Sequence, residues 1–172
     1  MTIEAGLTLP ELVIEVTPTF VISTAIATRD FQDVHHDRDR AVERGGKDIF
    51  VNILTTTGLV QRYVTDWAGP QAVVRKVAIR LGAPCYAGDT LTFSGRVVEG
   101  ADRERAGRAG GENGEGAGAE HGEGAGGENG EGVGGRLSRD TGEEYVVEVV
   151  GRCSLGDHVT GTVRIAAPGS AA

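Results

Sequence analysis

Apolar side chains recur at every second position in four stretches of the chain and at helical spacing in one. These two rhythms divide it into strands and a helix. Val77, Ile79 and Leu81 alternate with Ala78 and Arg80 until Pro84 breaks the run, and Leu91, Phe93 and Val97 alternate with Thr92, Ser94 and Arg96. Tyr145, Val147 and Val149 stand against Val146 and Glu148; Val159, Val163 and Ile165 stand against Thr160, Thr162 and Arg164. Gly88-Asp89 and Gly156-Asp157 supply turn residues between such runs. Upstream, the β-branched stretch from Thr19 to Thr28 predicts a further strand, buried on at least one face.

Two helices are expected between that strand and the rest. Asp37 can cap a short one running through Arg44 and ending at Gly45-Gly46. Asn52 can cap a longer one running to Trp67, stopped by Gly69-Pro70. In it Ile53, Thr57, Val60, Val64 and Trp67 recur at helical spacing, while Leu54, Gly58 and Thr65 supply a second apolar or small side. A helix so apolar around its circumference is expected to be enclosed. One strand, two helices and four strands in antiparallel succession predict a single α+β domain, with a curved sheet wrapped around the central helix.

Composition changes this picture in one place. The chain of 172 residues suffices for one domain. The segment from Glu99 to Gly135, however, holds 15 of the 28 glycines and nearly repeats itself, Gly111-Glu-Asn-Gly-Glu-Gly-Ala-Gly returning as Gly127-Glu-Asn-Gly-Glu-Gly-Val-Gly. Such a stretch cannot bury enough apolar surface to offset its chain entropy. We read about 100–136 as a disordered insert in a surface loop, where added length costs closure entropy only logarithmically. Between Glu99 and Gly135, nine acidic residues against three arginines account for −6 of the formal net charge of −8, leaving −2 for the rest. That balance argues against nucleic acid as a partner. The carboxylates also exclude a phosphate-gripping glycine loop, and the spacing is not that of a calcium loop. Cys85 and Cys153, far apart and without metal-site spacing, read as small core residues of a reduced, cytoplasmic protein. Neither a signal peptide nor a membrane span is evident.

The candidate chemistry lies in Arg29-Asp30-Phe31-Gln32-Asp33-Val34-His35-His36-Asp37. Asp30 and His35 fall five residues apart where an apolar run gives way to a polar turn. A carboxylate and an imidazole held on one turn can share a water and move a proton near neutral pH. Asp33 is a competing carboxylate. A metal site built from His35, His36 and Asp37 is not expected, because adjacent side chains diverge.

These residues resemble the MaoC-like (R)-specific enoyl-CoA hydratases. The family's motif runs Gly-Asp-x-Asn-Pro-aliphatic-His-x-Asp-x-x-x-Ala, and this chain keeps Asp30, His35, Asp37 and Ala41 in register. Pro84-Cys-Tyr-Ala-Gly88-Asp89-Thr90-Leu91 is similar to a second family segment, Pro-Val-x-x-Gly-Asp-x-Leu. The stretches Asp48-Ile-Phe-Val-Asn-Ile-Leu and Gly58-Leu-Val-Gln-Arg-Tyr-Val-Thr-Asp-Trp-Ala-Gly-Pro look like the small-subunit branch of heteromeric steroid enoyl-CoA hydratases in bacterial cholesterol degradation. The resemblance covers about residues 18–98 and 143–166, and the insert has no part in it.

The resemblance implies a hot-dog fold and hydration of an α,β-unsaturated acyl-CoA thioester, that of a steroid side chain, without a cofactor or metal. Asp30 and His35 become the catalytic pair. The oxyanion donor is a backbone N–H at the start of the central helix, here Asn52, where the family has His-Gly and this chain Val51-Asn52. A second MaoC-like subunit is implied as partner, in an α2β2 heteromer, with a link through that partner to a thiolase-like aldolase. Gln32 and Asp33 replace the motif's Asn-Pro, and Arg29 its Gly. Arg75, Lys76 and Arg80 are candidates for CoA phosphates or scattered surface charge; Arg62, Tyr63 and Asp66 for a pocket, an interface or packing. Two other readings stay open: a hot-dog acyl-CoA thioesterase, which needs a carboxylate on the central helix, and a non-catalytic assembly subunit.

Overall fold

The computed structural model describes residues 3–100 and 143–167. Strand β1 (Thr8–Val16) leads into helix α1 (Pro18–Ala27), a single 3-10 turn (Asp33–His35) and the short helix α2 (Arg38–Glu43). The central helix α3 (Ile53–Ala68) precedes four strands: β2 (Val73–Leu81), β3 (Asp89–Gly100), β4 (Glu143–Cys153) and β5 (Gly156–Ala167). The strands form one antiparallel sheet in the order β1-β3-β4-β5-β2. Helix α3 touches β1, β2 and β5. A helix that meets both edge strands of a five-stranded sheet requires that sheet to curl around it, which is the hot-dog layout. β3 continues through Gly100; the remainder of the insert assigned to about 100–136 lies outside the described residues.

The expected strand over 19–28 is a helix. Thr17 caps it, its hydroxyl accepting from the Phe20 N–H at 3.1 Å, and Pro18 sits in the first turn, where its missing N–H costs nothing. The Thr24 and Thr28 hydroxyls donate back to the carbonyls of Phe20 and Thr24, each at 2.8 Å, so these β-branched residues satisfy themselves within a helix. Only Val21 and Ala25, one turn apart, are buried in it. β propensity reports fit to a half-buried pleated surface, and here no sheet edge is offered to this segment.

The first strand instead lies upstream, over Thr8–Val16, where Pro10 disguises it. A proline is tolerated on an edge strand or at a bulge. β1 is an edge strand, and its register against β3 shifts between Leu9 and Leu12, around that proline. The succession of the last four strands also differs from expectation: β2 does not pair with β3 but crosses to the far edge beside β5. Gly161 permits that pairing, since a Cβ there would stand 2.2 Å from the Ala78 carbonyl oxygen.

The alternating positions of β3, β4 and β5 behave as their pattern predicts, whereas on the edge strand β2 Val77 and Ile79 are half-buried and Leu81 is 38% exposed. Leu91, Phe93, Val97, Tyr145, Val147, Val149, Val159, Val163 and Ile165 all face the core. The Phe93 ring stacks on Tyr63 of α3 with centroids 5.8 Å apart. Burying a side chain of that size contributes about 2–3 kcal/mol. On α3 the buried face is Thr55, Thr56, Leu59, Val60, Tyr63 and Val64. Ile53 and Leu54, expected inside, are 51% and 49% exposed, so within one chain the first turn of the helix is not enclosed.

Candidate active site

Asp30 is placed by the end of α1. After the cap residue Thr28, Arg29 takes φ +58°, and its N–H donates to the Ile26 carbonyl while that of Asp30 donates to Ala25. This is a left-handed helix terminus, a conformation that disfavours most side chains and suits glycine. It gives a backbone reason for the glycine that precedes the motif's aspartate and makes Arg29 a strained substitute. The chain then turns out through Phe31 and returns as the 3-10 turn that carries His35.

His35 is held at a fixed angle. Its Nδ1 lies 2.8 Å from the Phe50 carbonyl oxygen, and its ring meets the Phe50 ring edge-on with centroids 4.8 Å apart. A carbonyl only accepts, so the neutral ring carries its proton on Nδ1 and presents the Nε2 lone pair. That atom lies 3.6 Å from Asp30 Oδ2, with both side chains largely shielded from solvent. The separation exceeds a direct hydrogen bond and suits one water donating to both acceptors.

Asn52 is the third member. Its side-chain oxygen caps α3 by accepting from the Thr55 N–H at 2.9 Å. Its amide nitrogen donates to Asp30 Oδ2 at 3.0 Å and to Thr28 Oγ1 at 2.9 Å. The side chain is therefore committed to the carboxylate and to the helix end. At such an end the amides of Ile53 and Leu54 have no carbonyl one turn back to bind, and the helix dipole favours negative charge. The segment leading into it is pinned from both sides: Phe50 N–H donates to Val34, Val51 N–H to Cys85, and Ala87 N–H to Ile49.

Other sequence candidates lie apart. Asp33 accepts from Arg44 Nη2 at 2.8 Å, an exposed pairing that turns it from the dyad. His36 is half-buried with Nε2 3.1 Å from the Phe31 carbonyl oxygen, and Asp37 caps α2 through the Arg40 N–H. Asp66 is exposed and paired with Arg62, one turn away. It stands 14 residues beyond Asn52, or about 20 Å along the helix. Tyr63 packs into the core, and burial, then the Glu11 carboxylate, pushes its hydroxyl up to about 12. Arg75, Lys76 and Arg80 are exposed on β2. Among the described residues no helix is long and apolar enough to cross a membrane.

Sequence reasoning passed over His158. This buried residue of β5 places Nδ1 2.8 Å from the Ala83 carbonyl oxygen and Nε2 2.9 Å from Thr56 Oγ1 on the first turn of α3. It ties the loop after β2 to the helix that carries Asn52. No local signal marks it, because its helical partner lies 102 positions away. Burial lowers its pKa, against a smaller raising effect from the Ala83 hydrogen bond. A base with a depressed folded pKa contributes stability above its unfolded value near 6.5 and loses it as pH falls through the folded value. At pH 6.5, where a free imidazole is half protonated, the His158 ring should remain mostly neutral in an NMR titration; half-protonation there would contradict the tie.

The structure also joins Cys85 and Cys153, which the sequence separates. Cys85, Cys153 and Asp89 each present a ligand atom within 4.8 Å of the others.

No family model matches the chain. Compared with curated proteins, it is 49% identical over 160 residues to the 3-oxo-4,17-pregnadiene-20-carboxyl-CoA hydratase beta subunit of Mycobacterium tuberculosis, covering 93% of each. Among solved structures it superposes on a chain of the ChsH1-ChsH2 complex from Mycobacterium tuberculosis with TM-score 0.69 and 48% identity, covering 95% of this chain and 98% of that one. The (R)-hydratase from A. caviae involved in PHA biosynthesis shares the fold at 14% identity, with TM-score 0.65 over 96% of this chain and 98% of that chain.

Proposed function

Because the chain belongs to the MaoC-like (R)-specific enoyl-CoA hydratase family, we propose that it is the dyad-bearing subunit of a heteromeric hydratase acting on a steroid side-chain enoyl-CoA. The observation that carries the reading is the 3.6 Å separation of His35 Nε2 from Asp30 Oδ2, with the imidazole tautomer set by Phe50. Water held between them loses one proton to the dyad as its oxygen bonds to the β-carbon. The dyad returns one proton to the α-carbon and ends as it began. Negative charge developing on the thioester oxygen is met by backbone amides at the start of α3, at Asn52 and the residues that follow. The Asn52 side chain keeps Asp30 aimed.

The second subunit covers what one chain leaves open. Phe31, beside Asp30, is 64% exposed, and Ile53 and Leu54, beside Asn52, are half-exposed. Apolar groups in that position suit a partner surface or the substrate's own rings. We assign the partner as a second MaoC-like chain, in an α2β2 heteromer that docks a thiolase-like aldolase through that partner. A CoA-thioester substrate suits a cytoplasmic location for the assembly. A thioesterase is disfavoured by Asp66, exposed and far along α3 from the dyad.

The co-expressed pair incubated with an enoyl-CoA separates the classes. Loss of the conjugated double bond without free thiol supports hydration. Release of CoA thiol indicates a thioesterase, and no reaction across an acyl series, steroid side chains included, indicates a non-catalytic subunit.

A further inference from the structure

We propose that Cys85, Cys153 and Asp89 form a binding site for one thiophilic divalent cation of the zinc class. Cys85 comes from the loop between β2 and β3, Asp89 from the start of β3 and Cys153 from the end of β4. The fold therefore assembles the three from separate elements, which is why sequence spacing shows no metal pattern. Their ligand atoms all lie within 4.8 Å of one another. Around a tetrahedral zinc, with sulfur at about 2.3 Å and carboxylate oxygen at about 2.0–2.2 Å, ligand atoms stand roughly 3.5–3.8 Å apart. A small contraction of the cluster reaches that geometry.

The carboxylate is already oriented. Asp89 Oδ1 accepts from the Thr90 N–H at 2.7 Å, and Oδ2 accepts from the Ser154 hydroxyl at 2.6 Å. The Ser154 N–H lies 3.2–3.3 Å from both oxygens. Ligating carboxylates are commonly held by such outer hydrogen bonds, and three donors on about four lone-pair sites leave one for a cation. Burial acts to raise Asp89, but the Ser154 and Thr90 hydrogen bonds outweigh it and hold the carboxyl below its usual range. Cys85 is fully buried and Cys153 half-exposed, so the site has a closed floor and an open side for a fourth ligand such as water.

Burial first, then Cys153 and Asp89, push the Cys85 thiol up to about 12, so a divalent cation binding here would displace that proton and take the deprotonated sulfur. Binding would also brace the active site. The Cys85 carbonyl accepts the Val51 N–H, immediately before Asn52, so the cation would stiffen the strand of contacts that presents Asn52 to Asp30.

The test uses the full chain in complex with its partner subunit. Complexes carrying wild-type chain, Cys153→Ser and Ser154→Ala are incubated with zinc, freed of unbound metal and analysed by atomic emission, with thiols counted after denaturation in chelator. Cys153→Ser keeps a donor for the Pro84 carbonyl that the thiol now faces at 3.7 Å, and circular dichroism confirms that each variant is folded. Wild type should hold one zinc per chain more than Cys153→Ser, and both thiols should be recovered. Ser154→Ala, which removes no ligand, should weaken affinity by about 10–100-fold. Equal zinc in wild type and Cys153→Ser would overturn the site. So would loss of both thiols with a mass lower by two hydrogens, since the pair would then form a disulfide.

Discussion

Asp30→Asn and His35→Ala should each lower hydratase turnover by about 10²–10⁴ while the fold is retained. The two groups do different things to one water. Asp30 carries the charge, steadied by the Asn52 amide at 3.0 Å and by the Gln32 N–H at 3.3 Å. His35 carries the lone pair, aimed by the Phe50 carbonyl. Asparagine at position 30 keeps the shape but offers one acceptor oxygen where Asp30 uses two, so its deficit would combine the lost charge with one lost hydrogen bond. Alanine at position 35 removes the base and the ring that packs on Phe50, so it is judged together with a thermal melt. Asp33→Asn is the control: its carboxylate is turned to Arg44, and turnover should stay near that of the unaltered chain. Near-normal turnover in Asp30→Asn would remove the dyad assignment.

The isolated chain should show no measurable hydration and should self-associate or aggregate, while the mixed complex with a second MaoC-like subunit is active. The physical ground is the open first turn of α3. Ile53 and Leu54 stand half-exposed beside the residue that holds Asp30, and Phe31 stands exposed beside Asp30 itself. In water these groups favour any cover available. Light scattering after size exclusion, on the single chain and on the pair, reads the assembly; the enoyl-CoA assay on the same fractions reads the activity. A stable monomer with full activity would refute the requirement for a partner. Replacing both Ile53 and Leu54 by Asp should disrupt assembly with little effect on the folded monomer's own core, because neither contributes to it.

Much of this molecule is written locally. The four later strands were legible because one side of each faces the core, so burial imposes a period of two on Leu91-Thr92-Phe93 and its counterparts. The caps of α2 and α3 were legible for a different local reason: Asp37 and Asn52 serve amides only three residues away. The Asp30–His35 pair was visible because only five positions separate the end of α1 from the 3-10 turn that follows it. Where local signals compete, the fold departs from the simpler one. The β-branched run after Pro18 becomes α1 because Thr17 caps it and its threonines bond back along the helix. Pro10 concealed β1 because a proline argues against a strand until an edge and a bulge are known to receive it. Tertiary structure alone decided what is shared between distant segments. β2 lies at the far edge beside β5, where Gly161 leaves room for its backbone. Asn52 became the partner of Asp30, 22 positions earlier, and His158 the partner of Thr56. Cys85 met Cys153 and Asp89 because the loop after β2 passes over the end of β4. Such contacts leave no periodic trace, because each rests on a single close approach rather than on repeated burial.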